Sequence, residues 1–214
     1  MASGNTQAFY TFDAIESEIF SELISLLQTN DDDDNSFTDL IKKNEKVSKR
    51  LDSEGQKDIS SRNDISWDDA TLLWVLSSIR KADGSMESLD KGRAREKLGR
   101  YPSADGSPLT YLEDYLIQED GSNILSLLTK LQGCLSEYHL GHSRFENGFG
   151  GLELRGWLSA DEVGTLRQEL QKTPWGVSSH ELYDGGVMEV VKHLMIILRS
   201  AHSRGWGIVF RRHA

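Results

Sequence analysis

Residues 157–210 decide the fold, and three pieces of this stretch carry most of the signal: WLSADEV at 157–163, DGGV at 184–187 and GWGIVF at 205–210. In the first piece, Ser159 stands three residues before Glu162, which is the reciprocal pattern that caps the start of a helix. In the second, Asp184 precedes apolar residues at helical spacing. In the third, Gly205 can end that helix in a left-handed conformation before a short apolar strand. Together they predict a helix–helix–strand unit over 157–214.

A second strand is predicted near the N-terminus. Phe9–Phe12 is a short aromatic and β-branched run of the kind found in strands. Asp13, with Glu16 three residues later, predicts the capped start of a helix whose apolar stripe continues to Leu27. Helices outnumber strands in this pattern, and the strands lie near opposite ends of the chain. We therefore predict an α+β fold: a single helix-dominated domain over 1–214, with a small sheet that uses strands near both termini.

The middle of the chain contributes further helices. Apolar periodicity and capping residues predict them over four stretches: 36–51, 66–79 with a cap at Ser66, 109–117, and 124–138 with Tyr138 on its buried stripe. Residues 52–66 are polar and predict a linker or mobile loop. A basic cluster over 91–100 is interpreted as a solvated face, because the chain around it is acidic.

Composition limits the classes of partner. The formal net charge is −10, with a pI near 5.1, so the protein repels nucleic acid phosphates and anionic membranes. The longest apolar run, Leu194–Leu198, is far shorter than a membrane span. Because the single cysteine, Cys134, rules out an internal disulfide framework and the N-terminus has no secretory pattern, we expect a cytoplasmic protein.

The strongest enzymatic pattern is a histidine pair at 137–142, EYHLGH. His139 and His142 could share a metal ion if the backbone stayed helical, with Glu137 or His180 as a further ligand. Gly141 lies between the two imidazoles, and a helix that ends there would separate them. The glycines at 148–151 lack the lysine and hydroxyl residues of a phosphate loop and are interpreted as a hinge. A metal-assisted hydrolase is therefore the alternative hypothesis, and no cofactor is predicted.

The favoured hypothesis is a non-catalytic interaction protein whose acidic surface binds a basic protein partner. Charge complementarity would speed the encounter, and aromatic residues would supply buried anchors. A third hypothesis is a structural subunit that oligomerises through its leucine-rich helices. The residues expected to contact a partner in the favoured hypothesis are Asp31, Asp32, Asp33, Asp34, Asp39, Asp68, Asp69 and Trp175.

The capped helix at 158–163, the second apolar helix, the glycine and the terminal strand together resemble the C-terminal plan of the YfbM-like group. These are small bacterial proteins of unassigned activity, with relatives near polymorphic toxin genes and suspected immunity roles. The resemblance covers about 55 residues and rests on the positions of helix caps and glycines. It implies an immunity-type protein that binds and blocks a basic toxin or nuclease, and it carries over no functional residues.

Overall fold

The computed structural model describes residues 8–28, 34–89, 100–117, 121–176 and 186–213, with only the backbone described for Asp34, Asn35 and Arg100. Several residues singled out by the sequence analysis lie outside this part of the chain: Asp31, Asp32, Asp33, most of the basic cluster (91–99), His180 and Asp184.

Helices and strands alternate irregularly along the chain. The strands are β1 (Phe9–Ile15), β2 (Arg100–Pro102), β3 (Leu152–Leu158) and β4 (Gly207–His213). The helices are α1 (Ser17–Gln28), α2 (Asp34–Lys43), α3 (Glu45–Ser53), α4 (Asp69–Ser77), α5 (Pro108–Asp114), α6 (Ile124–Gly133), α7 (Glu137–Leu140), α8 (Ala160–Lys172) and α9 (Gly186–His202).

The four strands form one antiparallel sheet in the order β2-β1-β4-β3. Strands β1 and β4 are neighbours at the centre of the sheet. They pair over their whole length, from Phe9 opposite His213 to Ile15 opposite Gly207. This pairing confirms the predicted α+β fold with strands near both termini. None of the described helices is both long enough and apolar enough to cross a membrane.

Helices cover both faces of the sheet, because apolar residues point to both sides of β1 and β4. Phe12 and Phe210 pack against each other on one face, with ring centroids 4.8 Å apart, and α5, α6, α8 and α9 cover them. Ile15 and Val209 point to the other face, which α1 to α4 cover. The sheet is therefore the middle layer of three, and each face has its own apolar core.

A bulge in β3 changes which face its side chains reach. Leu154 pairs with Arg211 and Gly156 with Phe210, so Arg155 is an extra residue on this strand. Leu154 consequently belongs to the α1–α4 core, whereas Leu158 belongs to the opposite core. At Gly156 the strand touches the backbone of α6 so closely that a Cβ atom would lie 2.3 Å from the Lys130 and Leu131 carbonyl oxygens.

The capping box of the C-terminal unit is confirmed. Ser159 Oγ accepts a hydrogen bond from the Glu162 backbone N–H at 3.3 Å, and the Glu162 carboxylate accepts one from the Ser159 N–H at 2.9 Å. Lys130 on α6 donates to the same carboxylate at 2.5 Å. The left-handed glycine is confirmed as well, since Gly205 has φ +69° directly before β4.

Three predicted helix starts or extents are wrong. Asp13 does not cap α1: it lies within β1, and its carboxylate pairs with Arg211. The helix predicted over 36–51 is two helices, because the Asn44 side chain accepts hydrogen bonds from the N–H groups of Lys46 and Val47 and thereby starts α3. The cap of α4 is Asp68 rather than Ser66.

Residues 52–66, predicted as a linker or mobile loop, make specific contacts with their surroundings. They include a 3₁₀ turn at Arg62–Asp64, capped by Ser61, and they bury Ile65. The Thr38 hydroxyl of α2 donates to the Ser60 carbonyl at 2.6 Å. The segment therefore connects α3 to α4 along the surface of α2.

Candidate functional site

Two aromatic side chains are almost fully exposed, and they lie on the same connection between α6 and β3. Tyr138 is 91% exposed and Phe149 is 85% exposed, far above the other large apolar side chains on the described surface. Aromatic rings normally bury most of their surface, so the two exposed rings make this connection the candidate site. We refer to residues 136–151, which carry both rings, as the aromatic segment.

Hydrogen bonds hold the backbone of Phe149 in place, although its ring is exposed to solvent. Its N–H donates both to Asp68 Oδ2 at 3.0 Å and to Thr71 Oγ1 at 2.9 Å. Gly148, one residue earlier, donates to the Leu152 carbonyl at 2.8 Å. A side chain on Gly148 would lie 2.8 Å from that carbonyl oxygen, so the close approach requires glycine. These bonds hold the ring outward on an ordered turn.

The helix that carries Tyr138 is held in a similar way. The Glu146 carboxylate accepts from the Glu137 N–H at 2.9 Å, and thus satisfies the first turn of α7, while its other oxygen binds Arg155 at 2.5 Å. At the other end, Gly141 closes α7 with φ +74°. An exposed ring on a fixed backbone loses little conformational entropy when a partner covers it, which favours binding.

Phe145 and Arg144 also connect the aromatic segment to the rest of the fold. Phe145 is fully buried in the α1–α4 core. Arg144 donates to the Leu27 carbonyl at 2.8 Å, in the last turn of α1. The chain leaves α1 at Gln28 and enters the acidic run that contains Asp31–Asp34. The segment with the exposed rings therefore contacts the helix end from which the acidic run departs.

Two of the predicted partner-binding carboxylates form contacts inside the protein. Asp68 caps α4 by accepting from the Thr71 N–H at 2.7 Å, and the same side chain holds the Phe149 backbone. Asp69 pairs with Arg62 at 2.8 Å, with both side chains at most a quarter exposed. Arg62 also donates to the carbonyl of Trp67 at 2.6 Å. The Asp68 side chain thus helps to hold the backbone of the exposed Phe149 in place.

Asp39 and Trp175, the other predicted residues whose side chains the structure describes, lie on opposite sides of the sheet. Asp39 is exposed on α2 and lines an open groove of about 400 Å³ between α1 and α2, beside Glu22 and Lys43. Asp34, the last carboxylate of the acidic run, is the first residue of α2. Trp175 is half-buried against the core on the other face of the sheet and pairs with Leu116.

His139 and His142 lie on either side of Gly141 and make different contacts. His139 lies on α7, with Nδ1 3.2 Å from the Ser136 hydroxyl. His142 follows the left-handed Gly141 and packs its ring against Phe145, at 5.8 Å between centroids. Within the described ranges, no three His, Cys, Asp or Glu side chains are grouped closely enough to hold a metal ion.

The surroundings of Cys134 disfavour the reactive thiolate form of its side chain. Cys134 lies at the C-terminal end of α6, and burial raises the pKa of its thiol above the ordinary value. A neutral thiol is a poor nucleophile, because the reactive species is the thiolate.

Comparisons with family models, with curated proteins and with solved structures find no match to this chain. The resemblance of residues 158–210 to the YfbM-like group remains a prediction.

Sequence reasoning missed both exposed rings. Tyr138 was predicted to lie on a buried stripe, which assumed one continuous helix over 124–138, but α6 ends at Gly133 and α7 starts a new helix at Glu137. The phase of the apolar stripe is lost across that break. For Phe149, the signal in the sequence was its position between glycines at 148 and 150, which leaves no regular element to bury the ring.

Proposed function

We propose that this protein is a non-catalytic interaction protein that binds a basic protein partner through the aromatic segment and the acidic run that follows α1 in the sequence. The observation that carries the proposal is the pair of exposed rings, Tyr138 and Phe149, each on a backbone fixed by hydrogen bonds. Tyrosine and other large side chains that become buried at the centre of an interface contribute most of its binding free energy.

The charge of the protein supports a basic partner. The chain has ten more acidic than basic side chains, counted without histidine, and four of the carboxylates are consecutive at Asp31–Asp34. Such a field attracts a cationic protein over a distance comparable with the Debye length, which is about 8 Å at physiological salt. The rings would then supply short-range contacts, and the carboxylates would select for charge and speed the encounter.

Blocking a basic toxin or nuclease is the role that we propose for such a surface, in line with the resemblance of the C-terminal unit to an immunity-type group. A nuclease that holds its substrate through a cationic face would lose that face to an acidic protein that covers it, because the two compete for the same basic side chains.

The test is to capture partners from an extract of the source organism at low salt, purify the captured protein, and measure its affinity over a series of NaCl concentrations. We expect a basic partner whose affinity falls as salt rises. A partner with an acidic pI, or an affinity that does not change with salt, would contradict the proposed mechanism.

A further inference from the structure

A second site lies away from the aromatic segment, in a cleft of about 580 Å³ between α1, α3, α4 and the turn at 78–84. This volume is within the range of small-molecule sites. Its floor is apolar, with Ile19, Leu76 and Ile79 among the lining residues. The charged residues of its lining are Glu16, Lys46, Lys49, Arg50, Glu54, Arg80 and Lys81.

The cleft is cationic in an acidic protein. Five of its lining side chains are basic and two are carboxylates, whereas the whole chain has a net charge of −10. Lys46, Lys49 and Arg50 lie three and four residues apart on α3, so they project from one face of that helix toward the cleft. Arg80 and Lys81 approach from the turn that follows α4.

The carboxylates do not satisfy all of these cations. Glu16 pairs with Lys46 at 2.6 Å, and Glu54 pairs with Arg80 at 2.7 Å. The Arg50 guanidinium and the Lys81 ammonium make no ion pair or hydrogen bond with any residue in the described ranges. The Nε atom of Arg80 is buried and likewise has no partner in those ranges.

The two guanidinium groups also repel each other. Burial lowers the pKa of Arg50, the charge of Arg80 lowers it further, and Glu54 offsets only part of the effect. Arg80 is mostly buried, with 17% of its side chain exposed, so this repulsion is weakly screened by water. Glu54 pairs with only one of the two guanidinium groups, so an anion placed between them would offset their repulsion and be bound by both.

We propose that this cleft binds an organic phosphate, with the phosphate group at Arg50, Arg80 and Lys81 and the apolar body of the ligand over Ile19 and Leu76. Guanidinium groups bind phosphate oxygens in a bidentate manner, and a lysine adds a point charge. A floor of aliphatic side chains favours a ligand with an apolar or planar body over a bare inorganic ion.

Calorimetric titration of the intact chain with inorganic pyrophosphate and with ADP tests the proposal. Pyrophosphate carries only the anionic group, whereas ADP adds a planar body. We expect both to bind, with ADP the tighter of the two. In R50Q both affinities should fall by roughly tenfold, as expected for the loss of one charge-assisted bidentate contact.

Lys172→Gln is the matched control, because it removes the same charge from an exposed position at the end of α8 that does not line the cleft. Its affinities should equal those of the wild type. The melting temperature of ligand-free R50Q should be equal to or above that of the wild type, since repulsion is relieved and no ion pair to a described residue is lost. Absence of binding to the wild type up to about 1 mM of either probe would overturn the proposal, and so would equal affinities in R50Q and the wild type.

Discussion

Asp13 of β1 and Arg211 of β4 form an ion pair across the centre of the sheet. The two strands place Thr11 opposite Arg211 and Asp13 opposite Val209, so the pair is diagonal. Both side chains are almost completely buried, with 12% and 9% exposed, and the guanidinium of Arg211 also lies 5.0 Å from the ring of Trp74. This pair joins the beginning of the chain to its end.

Removing one member of this pair should leave an uncompensated buried charge. We expect Arg211→Met to lower the free energy of unfolding by about 3–5 kcal/mol, the range measured when one partner of a buried ion pair is lost. Urea denaturation measures the change. The exposed pair Lys49–Glu45 provides the control. We expect Lys49→Met to lower the free energy of unfolding by less than about 1 kcal/mol. Equal effects of the two substitutions would show that the pair between β1 and β4 adds no stability.

The close contact between β3 and α6 predicts a strict requirement for glycine. In Gly156→Ala the new methyl group would collide with two backbone carbonyl oxygens, which cannot move without shifting α6. We expect a loss of about 3 kcal/mol or more in the free energy of unfolding, at the upper end of overpacking effects.

Gly133→Ala is the matched control for that prediction, because its nearest neighbour would be at 3.5 Å, an ordinary contact. This variant should unfold within about 1 kcal/mol of the wild type, since alanine is favoured over glycine in a helix. If G156A were as stable as G133A, α6 and β3 would not be in the contact described.

Glu162 makes stability depend on pH. Burial acts to raise the pKa of this carboxyl, but the hydrogen bonds from Lys130 and from the Ser159 N–H, with the Lys130 charge, bring it below its ordinary value. A depressed pKa in the folded state means that the stabilisation is present above the unfolded pKa, about 4.3, and is lost as the pH falls through the folded value.

E162Q should therefore be less stable than the wild type at pH 7, by about 0.5–1 kcal/mol for a pair that is about a third exposed. The difference should shrink as the pH falls below about 4, where glutamate becomes protonated. Thermal denaturation of both proteins from pH 7 down to about pH 2, which lies below the ordinary glutamate pKa, measures this difference. A difference that stays constant over this range would mean that the Glu162 charge does not stabilise the fold.

The thiol of Cys134 should react slowly in the folded protein. Burial raises its pKa, and the reactive species is the thiolate. With a disulfide reagent at pH 8, labelling should be at least about tenfold slower than in denaturant. Labelling as fast as in the unfolded chain would contradict this expectation and would indicate an accessible thiol with substantial thiolate character.

Elemental analysis addresses the alternative hypothesis of a metal-assisted hydrolase. His139 and His142 lie on opposite sides of a left-handed glycine, so we expect less than about 0.1 mole of zinc, iron or manganese per mole of protein purified without a histidine tag. Stoichiometric metal that is lost in H139A or H142A would instead support the hydrolase.

Local signals in the sequence predicted the fold class and the C-terminal unit, because the Ser159–Glu162 capping box depends only on residues three positions apart. Asp13 was assigned wrongly for the opposite reason: its partner, Arg211, is 198 residues away, and tertiary pairing overrode a local capping pattern. Similarly, the fixed position of Phe149 depends on Asp68 and Thr71 of α4, which no local pattern connects to the glycines around it.

The exposed rings of Tyr138 and Phe149 should contribute nothing to the free energy of unfolding. The double variant Tyr138→Ala/Phe149→Ala keeps every backbone hydrogen bond of the aromatic segment and removes only exposed rings. Its free energy of unfolding should equal that of the wild type within about 0.5 kcal/mol. A larger loss would mean that the two rings are part of the folded core rather than of a binding surface.

The most direct test of the proposed function is the affinity of this double variant for the purified basic partner. We predict a loss of about 2 kcal/mol or more, or roughly thirtyfold in Kd, because both rings act as anchors. Met188→Ala/Ile196→Ala, which removes two exposed apolar side chains from α9, should bind like the wild type. An unchanged Kd for the Tyr138→Ala/Phe149→Ala protein would contradict the proposal that this surface binds the partner.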